Sequence, residues 1–192
     1  FDDNALLQKV DNGIRIKREL LAAAQQAGIQ LPDYQEVKWG GEKADYEIEG
    51  TKEGVLRNTN ADLRSLKELT ALGLNGMAAY YEHAARLGKR SESIISFMAK
   101  ALATISNPAA TQDELLQLVL ETGKYGVDVM ALLDTANTSA FGNPEITKVN
   151  IGVGKNPGIL ISGHDLRDIE DLLEQTQGTG IDVYTHGEML PA

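Results

Sequence analysis

The sequence predicts a mainly α chain in which a helical bundle runs into the truncated βαβ start of an α/β domain. Three observations predict it. Four long stretches repeat their apolar residues at spacings of three and four, the period of a helix with one buried face. After Ala140 that period stops and short β-branched runs take over. Between Gly158 and Thr185 the order is apolar run, amphipathic helix, apolar run, which is a βαβ unit.

The first helix is expected over residues 4–27, with Leu6, Leu7, Val10, Ile14, Leu20 and Leu21 at helical spacings and a stop at Gly28. From Gln30 to Asn60 the chain is polar and glycine-rich, and no firm structure is assigned to it. The second helix covers residues 61–87. Asn60 is its candidate N-cap, and Asp62 sits where a negative charge suits the helix dipole. Its predicted apolar stripe is Leu66, Leu69, Gly73, Met77, Tyr80, Ala84 and Leu87. Gly73, Gly76, Ala78 and Ala79 leave room for a neighbouring helix to come close. A third helix over 91–105 ends at Asn107-Pro108, since the residue before proline disfavours the α region. The fourth starts with a capping box at Thr111-x-x-Glu114 and continues through Leu115, Leu116, Val119, Val127, Met130 and Leu133.

The stretch ITKVNIGV, Ile146 to Val153, alternates as a short strand does. Gly158 to Ser162 is a second strand. A helix follows, capped by Asp165 and ended by Gly178 and Gly180, and then a strand over Ile181–Thr185 in which Tyr184 is read as sheet packing. Crossover through a helix makes the last two strands parallel. The expected organisation is a helical bundle domain over 1–145, with 30–60 as its polar connection. An incomplete Rossmann-like α/β domain opens at 146–192.

Composition narrows the function. The 192 residues carry a net charge of −10, so the chain lacks the clustered cations that bind phosphate backbones, and no nucleic-acid partner is expected. The basic groups Arg15, Lys17, Arg18 and Arg86, Lys89, Arg90 are read as solvated helix faces. No apolar run nears the roughly 20 residues a membrane span needs, and FDDNALL is no signal peptide. A cytoplasmic protein away from membranes is expected. There is no cysteine, which excludes disulfides and any thiolate-held zinc or iron–sulfur site built from this chain alone. The chain starts with Phe and stops just after its last strand, so it is expected to be an internal piece of a longer polypeptide.

One place could carry chemistry. His164 follows the C-terminal end of the Gly158–Ser162 strand, and Glu188 follows that of the next. Parallel strands put both loops on one sheet edge, where α/β folds bind ligands. Neighbouring strands lie about 4.8 Å apart, so the two side chains can meet at one atom. Imidazole nitrogen and carboxylate oxygen are both competent iron ligands. A blander account makes SGHD a turn, with His164 bonded to backbone and Asp165 a helix cap. His186 rivals Glu188 on the same loop, and spacing alone leaves that choice open.

At these residues the sequence resembles the hybrid-cluster protein family (hydroxylamine reductases, or prismane proteins). The resemblance lies in Ile161–Ala192 (ISGHDLRDIEDLLEQTQGTGIDVYTHGEMLPA) and, upstream, in ALGLNGMAAYYEHAARLG from Ala71 to Gly88. It implies an iron–sulfur oxidoreductase that reduces hydroxylamine to ammonia and water and is linked to nitric oxide handling. His164 and Glu188 would be ligands of a hybrid iron–sulfur–oxygen cluster in an α/β cluster-binding domain, with His186 a candidate to stand beside them. The cysteine ligands, and a second, 4Fe-4S-type cluster held by an N-terminal segment, lie outside this chain. The implied partners are the rest of the polypeptide, a redox electron donor and a small nitrogen-oxide substrate, and the isolated chain would be inactive. Two alternatives are weighed: a piece of a carbon monoxide dehydrogenase-like nickel–iron enzyme, and a stand-alone helical scaffold or binding module.

Overall fold

A computed structural model describes residues 2–190. Phe1, Pro191 and Ala192 lie outside the described residues, and with them the last two positions of the THGEMLPA stretch. The architecture is mainly α, with a small parallel sheet near the C-terminal end of the chain.

Helix α1 spans Asp3–Gln26 and begins where the Asp2 carboxylate accepts the Ala5 N–H at 3.1 Å. It ends as predicted at Gly28, whose φ of 70° only glycine adopts freely. The polar connection that follows is more ordered than its composition suggests. It holds two short helices, α2 (Gln35–Lys38) and α3 (Tyr46–Lys52), with single 3-10 turns at Lys43–Asp45 and Val55–Arg57. The ordering comes from α1. Lys17 Nζ donates to the Trp39 carbonyl at 2.5 Å, Arg18 to the Gly40 carbonyl at 2.6 Å, and the Tyr46 hydroxyl to Asp11 at 2.6 Å. Lys17 is therefore a half-buried anchor, while Arg18 stays on the solvated face and bonds the connection from there.

Three long helices follow: α4 (Ala61–Arg86), α5 (Glu92–Ser106) and α6 (Gln112–Phe141). Their starts are written in the sequence. Asn60 Oδ1 accepts the N–H groups of Asp62 and Leu63. At α6 the capping box closes both ways: Glu114 Oε2 accepts the Thr111 N–H at 2.8 Å, and Thr111 Oγ1 accepts the Glu114 N–H at 3.3 Å. Those contacts to Thr111 also hold the Glu114 carboxyl below its ordinary pKa, because they favour the charged form.

The chain forms two compact units. One takes the residues up to Ala71 together with Ala99–Leu120, and buries Ile14, Thr70, Ala101, Ala110, Leu115 and Leu118. The other takes Leu72–Met98 and the residues from Glu121 onward. Its core includes Leu74, Met77, Tyr81, Ala84, Ile94, Phe97 and Val129, with the Phe97 and Tyr125 rings stacked 4.1 Å apart. The buried stripe of α4 is therefore turned from the one expected. Leu69 and Tyr80 are exposed, while Thr70, Leu74 and Tyr81 are inside. On α6, Leu116, Val127 and Met130 are likewise exposed. Small residues in mid-helix leave the phase of an apolar stripe poorly determined. Of the two glycines on α4, Gly73 makes a close approach, since a Cβ there would lie 2.7 Å from the Thr122 methyl, while one at Gly76 would meet nothing within 4 Å.

The predicted strand at Ile146–Val153 does not form. No partner strand lies beside it among the described residues, and Ile146, Val149, Ile151 and Val153 are exposed. Alternation without a neighbour to bond leaves extended backbone, not a strand. The βαβ unit itself is present: β1 (Gly158–Ser162), α7 (Leu166–Thr176) and β2 (Asp182–His186), with β1 and β2 parallel and adjacent. Gly178 and Gly180, at φ of 72° and 74°, make the turn between α7 and β2. Tyr184 lies over Gly158, and its hydroxyl also accepts the Gly154 N–H at 2.8 Å, tying the segment before β1 to the sheet.

Candidate metal centre

The register of the sheet decides which side chains meet. Gly158 pairs with Asp182 and Ser162 with His186, a constant offset of 24 residues. His164 and Glu188 are also 24 residues apart, so each lies two positions beyond a paired end, at the same level. Their side chains converge: His164 Nε2 is 3.2 Å from Glu188 Oε2.

Local sequence holds the two turns in place. After β2 the chain enters a 3-10 turn, Gly187–Met189, which puts Glu188 at the sheet edge. Gly187 has a φ of 64°, and a Cβ there would stand 3.2 Å from Ser162 Oγ, so both backbone and space call for glycine. Met189 is buried, with its methyl against Gly163 of the opposite turn. On the His164 side, Asp165 caps α7 by accepting the Arg167 N–H at 3.0 Å. Asp165 is buried, and its second oxygen accepts from Arg86 at the last turn of α4. The Arg86 guanidinium also reaches Asp168 at 3.1 Å and Asp171 at 3.8 Å. Asp168 first, then Asp165 and Asp171, raise the Arg86 pKa further above its ordinary value. Arg86 is thus no free member of a solvated basic face.

His186 makes a contact of its own. Its Nδ1 is 3.2 Å from Ser162 Oγ across the strand pair, in hydrogen-bond contact. Of the two side chains on that loop, Glu188 is the one in contact with His164. Sequence reasoning missed Arg86, Ser162 and Met189. A signal for Arg86 existed, since Asp165, Asp168 and Asp171 repeat every three residues along one side of α7 and call for a cation. Nothing local named which cation it would be.

The donor chemistry fits two corners of a metal site. One metal at about 2.1 Å from each donor accommodates a 3.2 Å nitrogen–oxygen separation with an angle of about 100° between the bonds. That lies between octahedral and tetrahedral geometry. The side chains of His164 and Glu188 are 60% and 70% exposed, so nothing in this unit walls the pair off from water. Among the described residues no group of three or more His, Cys, Asp or Glu is placed to hold a metal ion. Beside Glu188 a cavity of about 720 Å³ opens, walled by Phe141, Pro144, Leu166, Ile169 and Leu173.

The sequence as a whole is matched by a known family. The chain belongs to the Prismane/CO dehydrogenase family, whose model matches residues 1–192. Among curated proteins it is 55% identical to a hydroxylamine reductase of Porphyromonas gingivalis over 192 residues. It is 54% identical to those of Bacteroides thetaiotaomicron and Desulfitobacterium hafniense, over 192 and 195 residues. All of this chain is covered in each comparison, and 35–36% of each relative. The chain therefore spans about a third of the length of the curated relatives it matches.

Proposed function

We propose that this chain serves in an iron–sulfur oxidoreductase that reduces hydroxylamine, with His164 and Glu188 as two ligands of its hybrid iron–sulfur–oxygen cluster. The observation that carries it is the 3.2 Å convergence of His164 Nε2 and Glu188 Oε2 at the carboxyl edge of a parallel sheet. Identity above 50% to proteins named hydroxylamine reductase supports the choice of reaction over carbon monoxide chemistry. The remaining ligands, cysteines included, belong to residues outside this chain, as does a second iron–sulfur cluster. Residues 146–192 are then the opening of the cluster-binding domain, and residues 1–145 a helical domain beside it.

The reaction is NH2OH + 2 electrons + 2 protons → NH3 + H2O. When bound, the cluster held in part by His164 and Glu188 would supply the two electrons for N–O cleavage, which a redox donor would have to replenish. What this chain supplies is placement. His164 offers an imidazole nitrogen and Glu188 a carboxylate oxygen, on turns held by Asp165 and Met189. His186, in contact with Ser162, stands on the same loop as Glu188 and is the candidate to line the surroundings of the site.

The test uses the whole iron-loaded protein, purified without oxygen. Replacing His164 or Glu188 by alanine is expected to lower iron content and cut hydroxylamine turnover, followed with a reduced low-potential dye, by roughly 100-fold or more. Unchanged iron and turnover in both variants would remove the pair from the site.

A further inference from the structure

The His164 turn is tied to a distant helix by a single cation. Arg86 lies on the last turn of α4, in a segment where Tyr81 and Ala84 are buried, so its backbone is anchored in the core. Its guanidinium reaches across to α7 and meets Asp165, Asp168 and Asp171. Asp165 is the residue after His164, and its side chain is 5% exposed. Its two carboxylate oxygens do different work. One accepts the Arg167 N–H and so starts α7, and the other takes the Arg86 guanidinium.

Stability is a poor explanation for such a pair. Removing a carboxylate from water costs about what its ion pair returns, so an apolar replacement is often as stable. Direction is what the pair supplies. A capping bond alone leaves Asp165 free to pivot with its helix, whereas a planar guanidinium held by three carboxylates fixes its orientation. The polarity also agrees at both ends, with a cation at the C-terminal turn of α4 and anions in the first turn of α7.

We propose that Arg86 is a positioning residue for the His164–Glu188 pair, acting through Asp165 to fix the turn that carries His164. The inference rests on His164 being a ligand, as argued above. Arg86 touches neither donor. It sets the point from which His164 departs, while Gly187 and Met189 set the Glu188 side, and the 3.2 Å convergence requires both.

The experiment compares four variants of the whole iron-loaded protein: Arg86→Gln, Arg86→Lys, Asp165→Asn and, as the ligand control, His164→Ala. Phe97→Leu, in the core away from the turn, controls for simple destabilisation. Asp165→Asn keeps the helix cap but loses the charge. Each is measured for melting temperature, iron content, the electron paramagnetic resonance spectrum of the site, and kcat and KM for hydroxylamine. Arg86→Gln and Asp165→Asn are expected to shift the spectrum and lower kcat about 10- to 100-fold with KM within about threefold, as lost support behind a ligand does. Arg86→Lys should recover part of that loss, and Phe97→Leu should lower the melting temperature without moving the spectrum.

If His164→Ala alters the spectrum while Arg86→Gln behaves like Phe97→Leu, the positioning role is wrong and the ligand assignment stands. If His164→Ala leaves the spectrum unchanged, the ligand assignment fails and the positioning role falls with it. A second readout needs no metal. In the 192-residue chain, Arg86→Gln should speed amide exchange at Arg167 and Asp168 about 10-fold or more while Val183–Thr185 keep their rates. Equal acceleration at both places would overturn the proposal, because it would mean general loosening.

Discussion

Replacing Gly187 with alanine loads the turn before Glu188 in two ways, and the structure gives a size for each. At a φ of 64° an alanine pays the left-handed strain that glycine escapes, about 1–2 kcal/mol. The new Cβ would also stand 3.2 Å from Ser162 Oγ, so the hydroxyl must give way and its contact with His186 Nδ1 weakens. A partly exposed hydrogen bond of that kind is worth about 0.5–1 kcal/mol. The sum, about 1.5–3 kcal/mol, corresponds to roughly 10- to 150-fold faster amide exchange in β1 and β2. Gly178 supplies the control. Its φ is 72° but a Cβ there meets nothing within 4 Å, so Gly178→Ala carries the strain alone, about 1–2 kcal/mol. Exchange of the Val183–Thr185 amides should therefore accelerate about two- to fivefold more in Gly187→Ala than in Gly178→Ala. Equal rates, or the reverse order, would refute the argument that Ser162 crowds this turn.

Three further outcomes follow from named contacts. The Asp11 carboxylate, as acceptor of the Tyr46 hydroxyl, pushes the Tyr46 pKa up to about 12. The stabilisation it gives is complete below pH 10 and lost as pH rises through about 12; ultraviolet titration should show Tyr46 ionising late, and Asp11→Asn should return it towards 10. Glu114 runs the other way: its folded pKa is lowered, so its contribution is present above the ordinary carboxylate range and lost as pH falls through the folded value. Carboxyl NMR should find Glu114 titrating below the ordinary glutamate range, and Thr111→Ala should move it back up. Phe97→Ala removes a buried ring stacked on Tyr125 and should cost about 3–5 kcal/mol in urea unfolding, whereas a loss under 1 kcal/mol would contradict the packing described.

Helix ends were the most legible part of the fold, because their signals are local. Asn60, Thr111 with Glu114, and Asp165 each sit beside the N–H they satisfy, and the boundaries fall within a residue or two of those expected. The βαβ unit was legible for the same reason, and with it the idea that His164 and Glu188 share an edge. What was hidden depends on partners far away in sequence. Ile146–Val153 has the alternation of a strand, but strands are made by neighbours. The connection after α1 looks formless until Lys17, Arg18 and Asp11 are placed against it. The phase of α4 was lost in its glycines and alanines, which mark no face. Arg86 could not be told from Lys89 and Arg90 by any neighbour in the chain, since its partner is Asp165, 79 residues away.

The most direct test of the central claim is a crystal structure of the whole iron-loaded protein, grown without oxygen. The account predicts that His164 Nε2 and a Glu188 carboxylate oxygen both lie about 2.0–2.2 Å from the same iron, with Asp165 still bonded to Arg86. An iron site with either donor more than about 3 Å away, or with His186 in place of His164, would contradict it.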